Sequence, residues 1–484
     1  MSLFGIMITV ILVLNTVGAV FTVLRSVRDI STTWAWLLVL LFLPVGGFIL
    51  YLFAGRGLSA KRVRAIQTEY RHGISAFVRL QQKQNARNRL LPAGVSAPAA
   101  KELIALFLNT DQAPLLTNQQ VDIFTDGTAK FRQLFADIDA AKRYVMVEYY
   151  TIYNDALGNE LRQHLIAKAQ AGVAVYVLYD AWGSLGASAK WWRPLVAAGG
   201  HAETYFSSRH LFLDFRLNYR DHRKIVVIDD QVGYIGGFNV GDQYVSRKPK
   251  FGFWRDTHLR ILGDTVLALK VRFLMDWNAT VGARDAIAYA QSAPAPTSAT
   301  PGQNAMQIVA SGPDSDAQQI KMGYVKLITG AAHSVWLQSP YLIPDDTVRD
   351  ALVTAALAGI DVRVMIPNMP DHPFIYRATQ YYAAQLTRAG VKVYHYQHGF
   401  LHAKTMVVDG KLASVGSANC DIRSFKLNFE VNAFLYDPAL ARRLSQIFEA
   451  DQAHCHLLTV QDIEAQGWWL HFKQDFSRLL SPIL

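Results

Sequence analysis

Two strings share one spacing, His222-x-Lys224-x4-Asp229 and His402-x-Lys404-x4-Asp409, and each is followed at the same offset by two small residues and an asparagine: Gly236-Gly237-x-Asn239 and Gly416-Ser417-x-Asn419. One such string arises easily by accident; two with matching tails point to a shared task for two imidazoles, two ammoniums and two amides. The chemistry this set suits is attack on a phosphodiester. That substrate carries a negative charge, and more develops on its non-bridging oxygens as a nucleophile approaches. Lys224 and Lys404 supply positive charge, and Asn239 and Asn419 supply amide N–H donors, for those oxygens. A neutral imidazole can attack phosphorus. A protonated one can give its proton to the departing alkoxide and then serve as base toward an acceptor alcohol. An ordinary imidazole pKa near 6.5 keeps both forms within reach at neutral pH. With the charge met in this way no metal is required, and neither a metal nor a cofactor is expected. The spacing leaves open which imidazole attacks.

These groups need rigid elements. Ile225-Val-Val-Ile and Thr405-Met-Val-Val are β-rich runs, so both signatures fall on strands. Residues at i and i+2 share a strand face, so His222 points with Lys224 and His402 with Lys404. Asp229 and Asp409 close the two signatures and belong to the same catalytic pattern, but their odd offset from His and Lys makes them supports. Small residues at 236–237 and 416–417 are expected to let the backbone and the asparagines come close to a bound anion. Upstream, each half has an apolar run (residues 144–150 and 334–341), then a helical stretch ending at Ala171-Gly172 or Ala358-Gly359, then a second apolar run (173–178 and 360–366). Alternating β and α elements predict an α/β fold with a helix-covered sheet in each half. Residues 291–304, QSAPAPTSATPGQN, read as the linker between the halves.

The first 55 residues are different in kind. Residues 4–24 and 34–53 are free of charged side chains, and each would make roughly 30 Å of helix, enough for a bilayer core. A transmembrane hairpin is expected over residues 1–55, with Trp34, Trp36 and Tyr51 near the interfaces. A basic juxtamembrane segment follows over 56–110. Between residues 56 and 89 nine Lys or Arg face one acid, Glu69, and hold most of the formal net charge of +10. Such a collar favours anionic lipid and a cytoplasmic face, leaving both termini and the catalytic bulk inside a bacterial cytoplasmic membrane. The remaining chain is close to neutral, which argues against a nucleic-acid partner. Cys420 and Cys455 are the only two cysteines of the 484 residues, and their number fits a reducing compartment without a disulfide framework.

The signatures, together with the strings Asp-His222-Arg-Lys224, Phe253-Trp-Arg-Asp256-Thr-His258 and Asp421-Ile-Arg-Ser-Phe-Lys-Leu-Asn428-Phe-Glu430, resemble the phospholipase D superfamily. The wider match, from apolar N-terminus to second signature, resembles the bacterial cardiolipin synthase family. The resemblance implies two α-β-α sandwich halves, 111–290 and 305–484, sharing one active site. It implies an acidic residue downstream of each signature that orients a histidine, and Asp256 and Glu430 fit, 34 residues after His222 and 28 after His402. It further implies His222 as nucleophile and His402 as acid and base. The activity it implies is transfer of a phosphatidyl group from one phosphatidylglycerol to another, through a phosphohistidine, giving cardiolipin and glycerol. A membrane-anchored phospholipase D delivering to water or another alcohol is the alternative. Tyr219, Trp254, Tyr341 and Arg423 are candidates for the lipid path.

Overall fold

Runs such as Val145–Val147 and Ile225–Ile228 have no polar residue at alternate positions, so a strand made from them must be covered on both faces. The computed structural model describes residues 75–87, 89–91, 98–205, 219–287 and 303–481, and nearer the N-terminus residues 10, 17–18, 21, 30–43, 46–47 and 51. The first half contributes β1 (Asn118–Asp126), β2 (Tyr144–Tyr149), β3 (Ala174–Tyr179), β4 (His201–Thr204), β5 (Lys224–Ile228), β6 (Val232–Gly236) and β7 (Trp254–Gly263). The second contributes β8 (Met306–Ser311), β9 (Ser334–Gln338), β10 (Leu342–Ile343), β11 (Asp361–Pro367), β12 (Lys392–Tyr396), β13 (Phe400–Leu401), β14 (Thr405–Val408), β15 (Leu412–Gly416), β16 (Cys420–Asp421), β17 (Glu430–Leu435) and β18 (Cys455–Leu457).

The strand orders are β1-β7-β6-β5-β2-β3-β4 and β18-β12-β11-β9-β14-β15-β17-β8. Read from β8, the second order is the first one again, with β18 added at the far edge. The sequence repeat is therefore a repeat of fold. In both sheets the first crossovers are parallel. Helices Ala156–Gln170 and Ala189–Ala197 join β2, β3 and β4, and Asp346–Leu357 and Pro373–Arg388 join β9, β11 and β12. Local chemistry fixes the first crossover helix of each half. Asp155 and Asp345 cap the N-termini by accepting from the N–H groups of Gly158 and Val348, and Gly172 and Gly359 leave the C-termini at φ 82° and 91°, a region closed to most side chains. Leu157, Leu161 and Leu165 are buried with Val145, Val147, Val175 and Val177 on one side of the first sheet. The helix Thr265–Val281 covers its other side, packing on β5, β6 and β7.

The structure redraws one boundary. Residues 98–110 do not stand apart as part of a juxtamembrane segment. In the helix Pro98–Thr110, Leu103, Ile104, Phe107 and Leu108 join the core of the second half, and the Phe107 and Phe434 rings lie 4.4 Å apart. At about 1.5–3 kcal/mol per fully buried side chain, that helix is an integral layer. The helix Ser75–Ala86, which carries Arg79 and Lys83 of the basic collar, is fastened beside it: Gln81 donates to Leu115 O (2.7 Å) and accepts from Leu115 N–H (2.8 Å). Backbone contacts divide the chain into residues 1–63 with 206–219, and residues 64–205 with 220–484. Of the former, the helix Ile30–Phe42 is described, and Trp36 meets Tyr51 edge to face at 5.2 Å. Among the described residues no helix is long and apolar enough to cross a membrane. Most of the apolar span 4–24, residues 44–45, 48–50 and 52–53 of the second span, and most of the linker lie outside the described residues.

Candidate active site

The geometry of the site follows from where each signature begins. β5 starts at Lys224 and β14 at Thr405, so His222 and His402 stand just ahead of their strands. There they pair with the opposite half. His222 donates its backbone N–H to Phe429 O (2.9 Å) and His402 donates its own to Arg255 O (2.7 Å). Asp221 bridges Phe429 in parallel, and β13 runs parallel to β7 with Phe400 opposite Trp254 and Leu401 opposite Arg255. Each half thus lays the residues before its signature along the start of the other half's closing strand.

That docking crosses the acidic partners. His222 Nδ1 lies 2.9 Å from both carboxylate oxygens of Glu430, and His402 Nδ1 lies 2.6 Å from Asp256 Oδ2. Both carboxylates contact histidines, but each serves the histidine of the other half, not the one that precedes it in the chain. Burial alone would raise the Glu430 carboxyl, but the hydrogen bond from His222, the Lys224 charge and the Ser417 hydroxyl outweigh burial and hold it below the usual carboxylate range. An ionised carboxylate only accepts, so His222 Nδ1 carries the hydrogen and Nε2 keeps its lone pair. Asn428 Nδ2 and Ser417 Oγ donate to Glu430 as well, at 3.2 and 2.5 Å.

Burial pushes both imidazoles down to about 4, with Lys224 and Lys404 each acting on both rings. Burial also brings Lys224 down to about 7 and Lys404 to about 8, and each lysine's charge bears on His222 and His402 alike. The four groups therefore form one electrostatic unit. Lys224 Nζ donates to His222 O and Lys404 Nζ to His402 O, both at 2.5 Å, which holds each ammonium against its own signature loop. A site that gathers two poorly compensated cations and two neutral imidazoles is suited to a single anion.

The small residues do a different job from the one expected. A Cβ at Gly237 would sit 2.0 Å from Asp256 Oδ1, and one at Gly416 would sit 2.2 Å from Asn432 Oδ1. They make room for β7 and β17, not for an anion. The position equivalent to Gly237 is Ser417, whose hydroxyl supports Glu430. Asn239 accepts from Thr151 N–H (3.2 Å) and donates to Tyr244 OH (3.3 Å), and Asn419 donates to Asp421 Oδ2 (3.1 Å). Each amide NH2 has two hydrogens, so these bonds leave one to give.

Asp229 and Asp409 are set apart from the reacting groups by a whole strand. Asp229 accepts from the backbone N–H groups of Lys142, Arg143 and Tyr144 at 2.6–2.8 Å, and Asp409 from Ala332, His333 and Ser334 at 2.8–2.9 Å. Both adopt left-handed backbone, at φ 55° and 54°. Their grouping with the catalytic residues is corrected accordingly: they clamp the turn that starts β2 or β9.

Two arginines escaped the sequence pattern. Arg223, between His222 and Lys224, donates to Asp276 (2.8 Å) and Glu430 O (3.3 Å) and lies over the Phe429 ring. Arg255, beside Asp256, places Nε and Nη2 at 2.9 and 2.7 Å from the carboxylate of Asp451, in the second half. The Arg255 ion pair crosses between the halves, whereas that of Arg223 stays within the first half and only its bond to Glu430 O and its stacking on Phe429 reach across. Breaking a buried pair by removing one partner costs about 3–5 kcal/mol. Among the lipid-path candidates, the Trp254 ring is 5.2 Å from that of His402 and buried. Tyr341 donates to Asp371, whose charge supports that of Lys404. Arg423 acts on Tyr150, whose ring meets His222 edge-on at 5.0 Å. Tyr219 groups with residues 206–219, most of which lie outside the described residues.

A duplicated α/β unit whose two His-Lys-Asn sets meet across one pseudo-symmetric junction defines the phospholipase D superfamily. Solved structures agree on the fold: phosphatidylserine synthase from Haemophilus influenzae Rd KW20 superposes with a TM-score of 0.60 over 79% of this chain and 100% of its own, at 14% identity. The family described as cardiolipin synthase, PLD-like domain, matches residues 134–251 and 324–452, and that described as phospholipase D-nuclease N-terminal matches residues 10–56. Curated cardiolipin synthases are similar from end to end. That of Listeria innocua is 46% identical over 484 residues, covering 100% of both chains, and that of Staphylococcus aureus is 46% identical over 472 residues, covering 98% of this chain and 95% of its own. The chain belongs to the cardiolipin synthase family, phosphatidyltransferases of the phospholipase D superfamily.

Proposed function

We propose that the protein joins two phosphatidylglycerol molecules by double displacement at His222 and His402. The observation that carries this reading is the crossed pairing of His222 with Glu430 and His402 with Asp256, which turns both Nε2 atoms away from their carboxylates and gives each half a stake in the other's imidazole. The donor phosphodiester lies against Lys224 and Lys404, with the free amide hydrogens of Asn239 and Asn419 on its oxygens. Its charge offsets the two ammoniums, which are among the forces keeping the imidazoles unprotonated. With the anion bound, His402 takes up a proton from solvent at Nε2. His222 Nε2 then attacks phosphorus, the bond to the glycerol headgroup oxygen breaks, and His402 gives that oxygen the Nε2 proton. Glycerol leaves. A headgroup hydroxyl of a second phosphatidylglycerol then gives its proton to His402 and attacks phosphorus, the P–N bond breaks, and cardiolipin is released. Transfer must outpace attack by water, and an acceptor held beside the phosphoenzyme gains the effective molarity to do so.

We further infer that residues 1–55 anchor the chain in the bacterial cytoplasmic membrane as a two-span hairpin, with the catalytic body on the cytoplasmic side. The charge-free spans and the basic residues that follow them support this. Purified protein given phosphatidylglycerol vesicles should yield cardiolipin and free glycerol in equal amounts. Phosphatidic acid and glycerol in their place would make the enzyme a hydrolase. A covalent phosphoenzyme trapped in His222→Ala would move the nucleophile elsewhere.

A further inference from the structure

The helix Trp468–Leu479 is turned inside out. Its polar residues Gln474 and Ser477 are 4% and 1% exposed, and Ser481 just beyond it is also buried. Gln474 is bonded to Gln466 (2.9 Å). The opposite side shows Trp468 at 76%, Leu479 at 66%, and Trp469, Phe472 and Phe476 at about half their surface. At 100° per residue these five side chains fall within one narrow stripe, while the buried polar residues sit opposite. A water-facing helix has the reverse arrangement, and each large apolar side chain left in water forgoes about 1.5–3 kcal/mol.

The surroundings say what fits the stripe. Lys473 borders it on one side, with its ammonium over the Trp469 ring (5.2 Å); on the other side Asp475 comes first and Arg478, over Tyr381, lies beyond it. The neighbouring helix Pro373–Arg388 packs alongside and adds Arg377, Arg388 and the exposed Phe374. Across the two helices four arginine or lysine side chains face one acid, Asp475. Tryptophans and phenylalanines flanked by long cations are the composition of an interfacial helix, whose rings enter the acyl boundary while the cations meet anionic headgroups. Two copies laid face to face would oppose the same cations. The surface is also continuous with the site: Pro373–Arg388 begins two residues after Asp371, which bonds Tyr341 and bears on Lys404.

We propose that the stripe Trp468, Trp469, Phe472, Phe476 and Leu479 is a second, monotopic contact with an anionic bilayer, which seats the mouth of the site on the surface where the lipid headgroups lie. The test uses the full chain in vesicles of phosphatidylglycerol and phosphatidylcholine, with Cys420→Ala and Cys455→Ala and a single fluorophore on Phe472→Cys. The expected result is a blue-shifted emission quenched by nitroxides on shallow acyl carbons and shielded from aqueous iodide. Iodide quenching equal to that in detergent would overturn the proposal. So would a blue shift without lipid quenching, which would mean that the chain's own apolar segment or a second copy covers the face. The reading does not depend on which product forms, so a failed product assay and a failed docking assay are distinguishable. In a second arm, Phe472→Ser with Phe476→Ser should slow turnover of vesicle lipid several-fold and leave turnover of short-chain, monomeric phosphatidylglycerol unchanged; equal effects on the two would overturn it.

Discussion

Replacing Glu430 with glutamine should disable His222, 208 positions away in the chain, and leave His402 oriented. Glu430 meets His222 Nδ1 through both oxygens at 2.9 Å, and it is itself held by Ser417 and Asn428. A glutamine fits the same space. The lost charge-assisted bond is worth about 1.5–3 kcal/mol, or about 10- to 150-fold in rate if the transition state needs it in full. The loss is larger if the new amide turns its NH2 toward Nδ1. The proton then moves to Nε2, the attacking lone pair disappears, and a tautomer error of that kind costs about 10⁴-fold in a serine protease triad. Asp256→Asn acts on the other imidazole, where the 2.6 Å contact secures the acid. The two defects separate with an aryl phosphodiester, whose leaving group departs without a proton. Formation of the phosphoenzyme from that substrate should recover in Asp256→Asn and stay slow in Glu430→Gln. Recovery in Glu430→Gln and not in Asp256→Asn would refute the assignment of nucleophile and acid. Recovery in both would refute the orienting role of the carboxylates.

Gly237→Ala should inactivate the enzyme without unfolding it, because the new methyl lands 2.0 Å from Asp256 Oδ1 and displaces the partner of His402; turnover and a thermal melt on the same sample check this. Asp409→Ala removes the acceptor of three backbone N–H groups, so it should lower stability by about 2–4 kcal/mol, read as a shifted denaturant midpoint, with catalysis by the remaining folded fraction preserved. Acid should destabilise the fold through the two active-site imidazoles. Their folded values near 4 lie below the unfolded 6.5, so the unfolded chain binds protons that the folded site refuses, and stability falls as pH drops from 6.5 to 4. Each contributes up to about 3 kcal/mol over that window, and His402→Asn should reduce the slope of the unfolding free energy against pH.

Much of this was legible in the sequence because a duplication is self-checking. The strand–helix–strand order, the strands carrying Ile225–Ile228 and Thr405–Val408, and the glycines that stop the helices at 172 and 359 follow from local periodicity and turn chemistry. The family resemblance singles out Asp256 and Glu430, each downstream of the signature of its own half, but does not reveal the crossed pairing with the other half's ring. Sequence spacing measures distance along the chain, whereas the pairing is set by how two separately folded sheets dock. Arg255 was invisible for the same reason, since its partner Asp451 comes from the other half, and Arg223 because its partner Asp276 lies on a helix 53 positions further along its own half. The expectation for the small residues failed on the same point: a collision between Gly237 and Asp256 exists only after β6 and β7 have paired.

The unequal cradles of the two histidines have an evolutionary consequence. One ring is held by the short arm of Asp256 over a bare glycine, the other by the longer arm of Glu430 with a serine beneath it. A symmetric pair of identical subunits would have to offer both rings the same surroundings and leave chance to decide which one reacts. Fusing the two copies into one polypeptide lifts that constraint, because each copy can drift toward its own specialised duty. Neither can then leave, since the carboxylate that tunes each ring is carried by its sibling.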